Sequence, residues 1–230
     1  MKKGSLRAAF TQHGTRWRIY LCLAGWACAL NANAGINLYP FDDDTAYLAP
    51  AQAFKGWAAA LQRHANQRDA LLNCKAQKGC KGRLRSFERV LSSASQLSRI
   101  EQIELVHRYI NRSKYVEDKA RRELMEDGTR RFRRNHWATL YEFLRKSGDC
   151  EDYATAKYFM LRELGFEPDQ LRIVVAFDRR AHGTHAVLAV QVADGKVWLL
   201  DSDNRIRRDN HRGFRYIYAM NEHSVWDHQT

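Results

Sequence analysis

The hydrophobic period of the chain changes at Gly165, and that change limits the fold more than any figure of composition. Before it, apolar residues recur at three- and four-residue spacing, which predicts helices over residues 51–72, 84–96, 98–112 and 150–165. The last of these runs from Cys150 to Gly165 without Gly or Pro, with Cys150, Ala154, Tyr158 and Leu161 on one stripe. Ser147 or Asp149 can cap its start, and Gly165 suits the left-handed position past its end. After Gly165 the pattern is that of strands, over residues 171–177, 185–192, 196–201 and 213–218. Helices first and strands afterwards define an α+β chain, its N-terminal helices packed on an antiparallel sheet. Residues 114–134 are charged and weakly periodic, and read as a loop with at most a short helix.

The middle two strands are joined by Ala193-Asp194-Gly195, and the loop length decides which side chains share a face. A two-residue Asp-Gly turn pairs Ala193 with Lys196 and sends His185 and Asp201 to opposite faces. A three-residue loop with Gly195 left-handed pairs Val192 with Lys196 instead. His185 then lies opposite Asp203 and diagonal to Asp201, on one face.

The 230 residues suffice for one domain with a full core. Residues 1–34 read as a signal peptide: a basic start to Arg18, an apolar run from Ile19 to Leu30, then Ala32-Asn33-Ala34, a small-x-small cleavage pattern. An uncleaved anchor is the alternative. Cleavage would deliver residues 35–230 to the periplasm and remove five basic residues from the formal +12, leaving +7. Basic clusters at Lys81–Arg85, Arg130–Arg134 and Arg205–Arg208 are first of all solvated faces. An acidic protein partner, nucleic acid or anionic lipid is their functional reading, and no nucleic-acid motif accompanies them. Asp42–Asp44 reads as an acidic turn rather than a calcium loop.

Cleavage also discards Cys22 and Cys28. Cys74 and Cys80 close a short loop, and an oxidising compartment predicts that they pair. Cys150 is then the odd thiol. It stands in Gly148-Asp149-Cys150-Glu151-Asp152-Tyr153-Ala154, at the point where a loop winds into a helix. The helix dipole and free N–H groups there favour a thiolate and can hold an oxyanion. Asp149, Glu151 and Asp152 oppose this, so a histidine or a bound cation must balance them. A buried structural cysteine with acids at a helix start is the bland alternative. A nucleophile needs an imidazole, and the imidazole needs a carboxylate. His185 and Asp201 supply them, with Asp203 as the fallback acid; His136 is a second candidate base, ranked lower because His185 emerges from a strand. His107 reads as a packing histidine.

Asn135–Thr139, Glu142-Phe143-Leu144, Gly148–Ala154, Ala156-Lys157-Tyr158, His185-Ala186-Val187, Leu200-Asp201, Asn221-Glu222 and Trp226 together resemble the bacterial transglutaminase-like cysteine proteinases, the LapG-type periplasmic adhesin proteases. The resemblance spans residues 100–226 and is most specific at Gly-Asp-Cys-Glu-Asp-Tyr. Leu140 stands where a proline is usual and Ser147 where a glycine is usual. The resemblance implies a papain-like or transglutaminase-like fold and a calcium-dependent endopeptidase. Such enzymes cut the N-terminal region of large surface adhesins beside paired alanines and release cells from biofilm. An inner-membrane cyclic-di-GMP receptor would sequester the protease. Carried over by position, the triad is Cys150, His185 and Asp201, and Ca2+ is held by Asp149, Glu151 and Asp152. Trp137 matches a family tryptophan whose first role is core packing. The rival functions are a transglutaminase or amidase acting on cell-wall peptide, and a non-catalytic binding module.

Overall fold

The computed structural model describes residues 41, 47–76, 80–118, 121–124, 130–133, 136–208 and 212–228. The expected leader, 1–34, and the expected acidic turn at Asp42–Asp44 lie outside them. All of the described residues belong to one compact unit, Gly35–Thr230.

Among the described residues, five helices lie between the first strand of the main sheet and the other six: α1 (Lys55–Leu72), α2 (Gly82–Ala94), α3 (Arg99–Asn111), α4 (Leu140–Lys146) and α5 (Cys150–Glu163). The helix expected from residue 51 starts instead at Lys55, after a short 3-10 turn at Ala51–Ala53. Helix α3 begins where Ser98 accepts from the Glu101 N–H, while the Glu101 carboxylate accepts from the Ser98 N–H, a capping box that satisfies two orphan donors. Thr139 and Glu142 make the same device at α4. The Cys74–Cys80 disulfide links α1 to α2.

Residues 114–134 differ from expectation. The segment contains a hairpin, β2 (Arg121–Leu124) with β3 (Arg130–Arg133), paired antiparallel. Its strands carry six charges between them and no apolar alternation, so the period that identifies a half-buried strand is absent.

The main sheet has seven antiparallel strands in the order β1-β9-β8-β4-β5-β6-β7. The strands are β1 (Tyr47–Pro50), β4 (Leu171–Asp178), β5 (Gly183–Gln191), β6 (Val197–Leu200), β7 (Ile206–Arg208), β8 (Phe214–Met220) and β9 (Ser224–Asp227). The central strands β4 and β5 are buried on both faces, so they read as continuous apolar runs. One face packs on the helices through Ile173, Leu188, Val190 and Leu200; the other holds a smaller cluster around Val174, Val187, Leu199 and Tyr216.

Helix α5 is the buried axis of this arrangement, with every residue from Glu151 to Leu161 buried. Its far end is fixed by Arg99, which donates to the Leu164 and Gly165 carbonyls at 3.0 and 2.9 Å. Gly165 takes the left-handed φ of 79°. Trp57 packs against Tyr158 and Phe159 of α5 and donates its indole N–H to the Asn221 carbonyl, tying helix layer to sheet. Trp137 is a core residue, packed on Phe54 and Trp57.

Candidate active site

The site forms where α5 begins. Helix α4 stops at Ser147, whose φ of 65° lies in the left-handed region, which explains why glycine is usual there. Arg83 donates to the Ser147 hydroxyl at 3.0 Å and holds the turn. Leu140, in the place of the usual proline, is the first helical residue of α4, where proline's missing N–H costs nothing and another residue fits equally well. Gly148 follows because nothing larger fits: a Cβ there would stand 1.9 Å from an Asp152 carboxylate oxygen. The Gly148 carbonyl accepts from the Val116 N–H at 2.9 Å.

Asp149 is the N-cap and Cys150 the first residue of the helix. Asp152 turns back on the chain before it. Its two oxygens accept from the Ala138 N–H at 2.6 Å and the Asp149 N–H at 3.3 Å. The Cys150 thiol donates to Glu151 Oε2 at 3.2 Å, and the sulfur faces the Ala186 N–H of β5. That second contact sets the sulfur beside the strand residue that follows His185. The Tyr115 hydroxyl lies near the Cys150 backbone and thiol, and its ring stacks on Tyr153.

The hairpin takes the three-residue loop. Gly195 has a φ of 68°, the Val192 N–H donates to the Lys196 carbonyl at 2.8 Å, and Leu188 pairs with Leu200. This register puts His185 and Asp201 together, with His185 Nε2 2.7 Å from Asp201 Oδ1. Asp201 is 3% exposed and also accepts from the Ser202 N–H and from Arg207, at 2.6 Å each. Burial pushes its carboxyl up, but the His185 and Arg207 bonds and charges outweigh burial and hold it below the usual range. Asp203 is turned to Arg207, at 2.8 Å. His136 is exposed and bound to Glu142 at 3.1 Å, on a carboxylate that also holds Arg63.

The acids dominate the local field. Burial, then Glu151, then Asp149 push the Cys150 thiol up to about 12, against the pull of the Ala186 N–H. The helix dipole does not by itself make a thiolate here. Burial, followed by Glu151, Asp152 and Asp118, raises Asp149 to about 9, and burial raises Asp152 to about 7. Asp118, Asp149 and Glu151 converge, with one oxygen of each within 4.8 Å of the others. Asp149 Oδ1 is buried without a hydrogen-bond partner. Hard oxygens crowded in this way, one of them orphaned, fit a divalent cation of the calcium type. Asp149 and Glu151 are thus joined by Asp118, while Asp152 lies behind them on backbone N–H groups. Sequence reasoning missed Asp118 and Tyr115 because both fall at the edge of a charged stretch with no usable period.

A thiol at a helix start, lodged beside a strand whose imidazole is gripped by a carboxylate from the next strand, defines the papain-like and transglutaminase-like class of thiol hydrolases. The family model of the bacterial transglutaminase-like cysteine proteinases, BTLCP, matches residues 72–228, and the chain belongs to that family. Three solved structures of Legionella pneumophila LapG are similar in fold, each at 23% identity. The calcium-bound form has a TM-score of 0.56 over 75% of this chain and 88% of its own. A second LapG structure gives 0.53 over 79% and 90%, and the EGTA-treated form 0.54 over 80% and 89%. No match is found among curated proteins.

Proposed function

We propose that this protein is a calcium-dependent cysteine endopeptidase of the periplasm that cuts the N-terminal region of a large surface adhesin and so controls release from biofilm. The observation that carries the catalytic part is the 2.7 Å bond between His185 and Asp201 beside the thiol that faces the Ala186 N–H. With Nε2 committed to Asp201, Nδ1 is the nitrogen left to take the Cys150 proton. Asp201 fixes that tautomer and steadies the imidazolium. The sulfur anion attacks the scissile carbonyl, and the oxyanion is held by the Cys150 N–H and the Tyr115 hydroxyl. His185 then protonates the leaving amine, and afterwards takes a proton from the water that releases the acyl group.

Asp118, Asp149 and Glu151 are the residues that would hold Ca2+, with Asp152 bracing the loop behind them. The ion supplies positive charge against the carboxylates that otherwise keep the thiol protonated. The leader-like residues 1–34 support export, and the family resemblance supports the adhesin substrate and restraint by an inner-membrane cyclic-di-GMP receptor.

The test is cleavage of a candidate adhesin N-terminal fragment by the purified chain in calcium, with an amine donor present. Cutting by wild type and none by Cys150→Ala is the expected result. Amine incorporation without cutting would replace the protease with a transglutaminase, and equal cutting by Cys150→Ala would remove the mechanism altogether.

A further inference from the structure

Lys157 is the one lysine on α5, and its side chain is fully buried. An ammonium in that position gives up its hydration shell, which a methionine of similar length would not have to do. The packing of the core therefore does not account for it.

Its contacts do. Nζ lies 2.9 Å from the Asp201 carbonyl oxygen and 3.5 Å from that of Leu200, at the point where β6 ends. The same Asp201 carbonyl accepts from the Asn111 side-chain amide at 2.8 Å. Asn111 is the last residue of α3 and 8% exposed. One turn earlier on α3, His107 Nε2 lies 3.5 Å from the Asn111 side-chain amide nitrogen. The backbone of the acid that grips His185 is thus held from beneath by two helices. Its own N–H bond to the Arg205 carbonyl is long, at 3.3 Å.

Lys157 follows Cys150 by seven residues, two helical turns, so both lie on the same side of α5, about 10 Å apart along the axis. One rigid helix carries the thiol at its first turn and the grip on the acid two turns later.

We propose that Lys157, with Asn111 as its partner, is a positioning residue: it fixes the Asp201 backbone relative to Cys150 and so sets the imidazole at the distance the thiol requires. This rests on the triad reading above. The rigid-helix geometry gives it a sharp signature. Loss of the grip displaces His185 from the sulfur without touching the substrate-binding surface, so it acts on turnover rather than on affinity.

The experiment compares wild type, Lys157→Met, Asn111→Ala and Cys150→Ala in calcium, on a quenched fluorogenic peptide spanning an Ala-Ala bond, with a melting curve for each. Expected for Lys157→Met is a kcat at least tenfold lower, a KM within twofold, and a melting temperature equal to or above that of wild type. Asn111→Ala, which leaves the carbonyl one donor, should lose less. A wild-type kcat in Lys157→Met overturns the inference. So does a kcat loss in both variants that comes with an equal rise in KM or only with a fall in melting temperature, since that is what a structural role predicts. Cleavage by Cys150→Ala would instead sink the triad reading, independently of how Lys157→Met behaves.

Discussion

Gly148 shows how tightly single positions are set around the thiol. Its own conformation is unremarkable; space decides it, because an added methyl would meet the Asp152 carboxylate at 1.9 Å. Gly148→Ala must push Asp152 off the Ala138 and Asp149 N–H groups and tilt the first turn of α5. The expected cost is about 1–3 kcal/mol, read as a lower denaturant midpoint, with cleavage falling further than stability alone explains. Tyr115→Phe is the opposite kind of change, since it removes one hydroxyl and no packing. Loss of one oxyanion donor predicts a kcat lower by roughly 100-fold with little change in KM; a faster variant would mean that the phenol blocks the hole rather than completing it. At this scale the sequence already marked the candidate residues. Cys150, His185 and Asp201 stand out by residue type, odd-thiol arithmetic and the order helix, strand, strand. Tyr115 and Lys157 do not, because their roles arise from contacts across 35 and 44 positions, and a tyrosine after a helix or a lysine within one looks ordinary in any sequence.

At the scale of elements, legibility follows apolar content. Helix α5 and strands β4 and β5 were readable almost to the residue, because each buries a continuous apolar run. The turn between β5 and β6 offered two registers, and the observed pairing of Val192 with Lys196 chooses between them. The hairpin β2–β3 and the edge strands β1 and β7 left no such trace, being short, charged or exposed. Among the helices, two buried histidines make a pH prediction. His64 stacks on Phe159 of α5 at 3.8 Å, and burial lowers it to about 4 against the upward pull of Glu163. Burial and then Lys157 likewise lower His107 to about 4. Both folded values lie below the ordinary value of 6.5, so between them the unfolded chain binds more protons than the folded one. Their contribution is complete above about pH 6.5 and is lost as pH falls towards 4, on the order of 3 kcal/mol for each. Urea midpoints measured from pH 7 to pH 4 should fall in that window, and His64→Gln with His107→Gln should flatten the curve; an unchanged slope would show that neither ring is held neutral.

The whole molecule divides its work between a rigid half and a charged one. The sheet and the buried α5 fix His185 and Asp201 without any ion, through backbone pairing, Arg207 and the grip from beneath. The nucleophile's own loop is different: Asp118, Asp149 and Glu151 crowd together, and the carboxyls are held up by burial and by one another. That loop is stable as it stands only if protons or a cation take up the charge, so on the proposed reading calcium and folding are linked. At a calcium concentration 100 times Kd the linkage is worth about 2.7 kcal/mol, which for a chain of this size raises the melting temperature by roughly 5–10 °C. EGTA should reverse the shift and stop cleavage together. Asp149→Ala removes the orphaned oxygen and should abolish the shift, whereas Cys150→Ala leaves the carboxylates in place and should keep it while remaining inactive. This pair of variants separates the ion's part from the sulfur's. If Cys150→Ala also lost the calcium shift, the thiol itself would belong to the cation site, and the division between a charged loop and a rigid acid–base half would not hold.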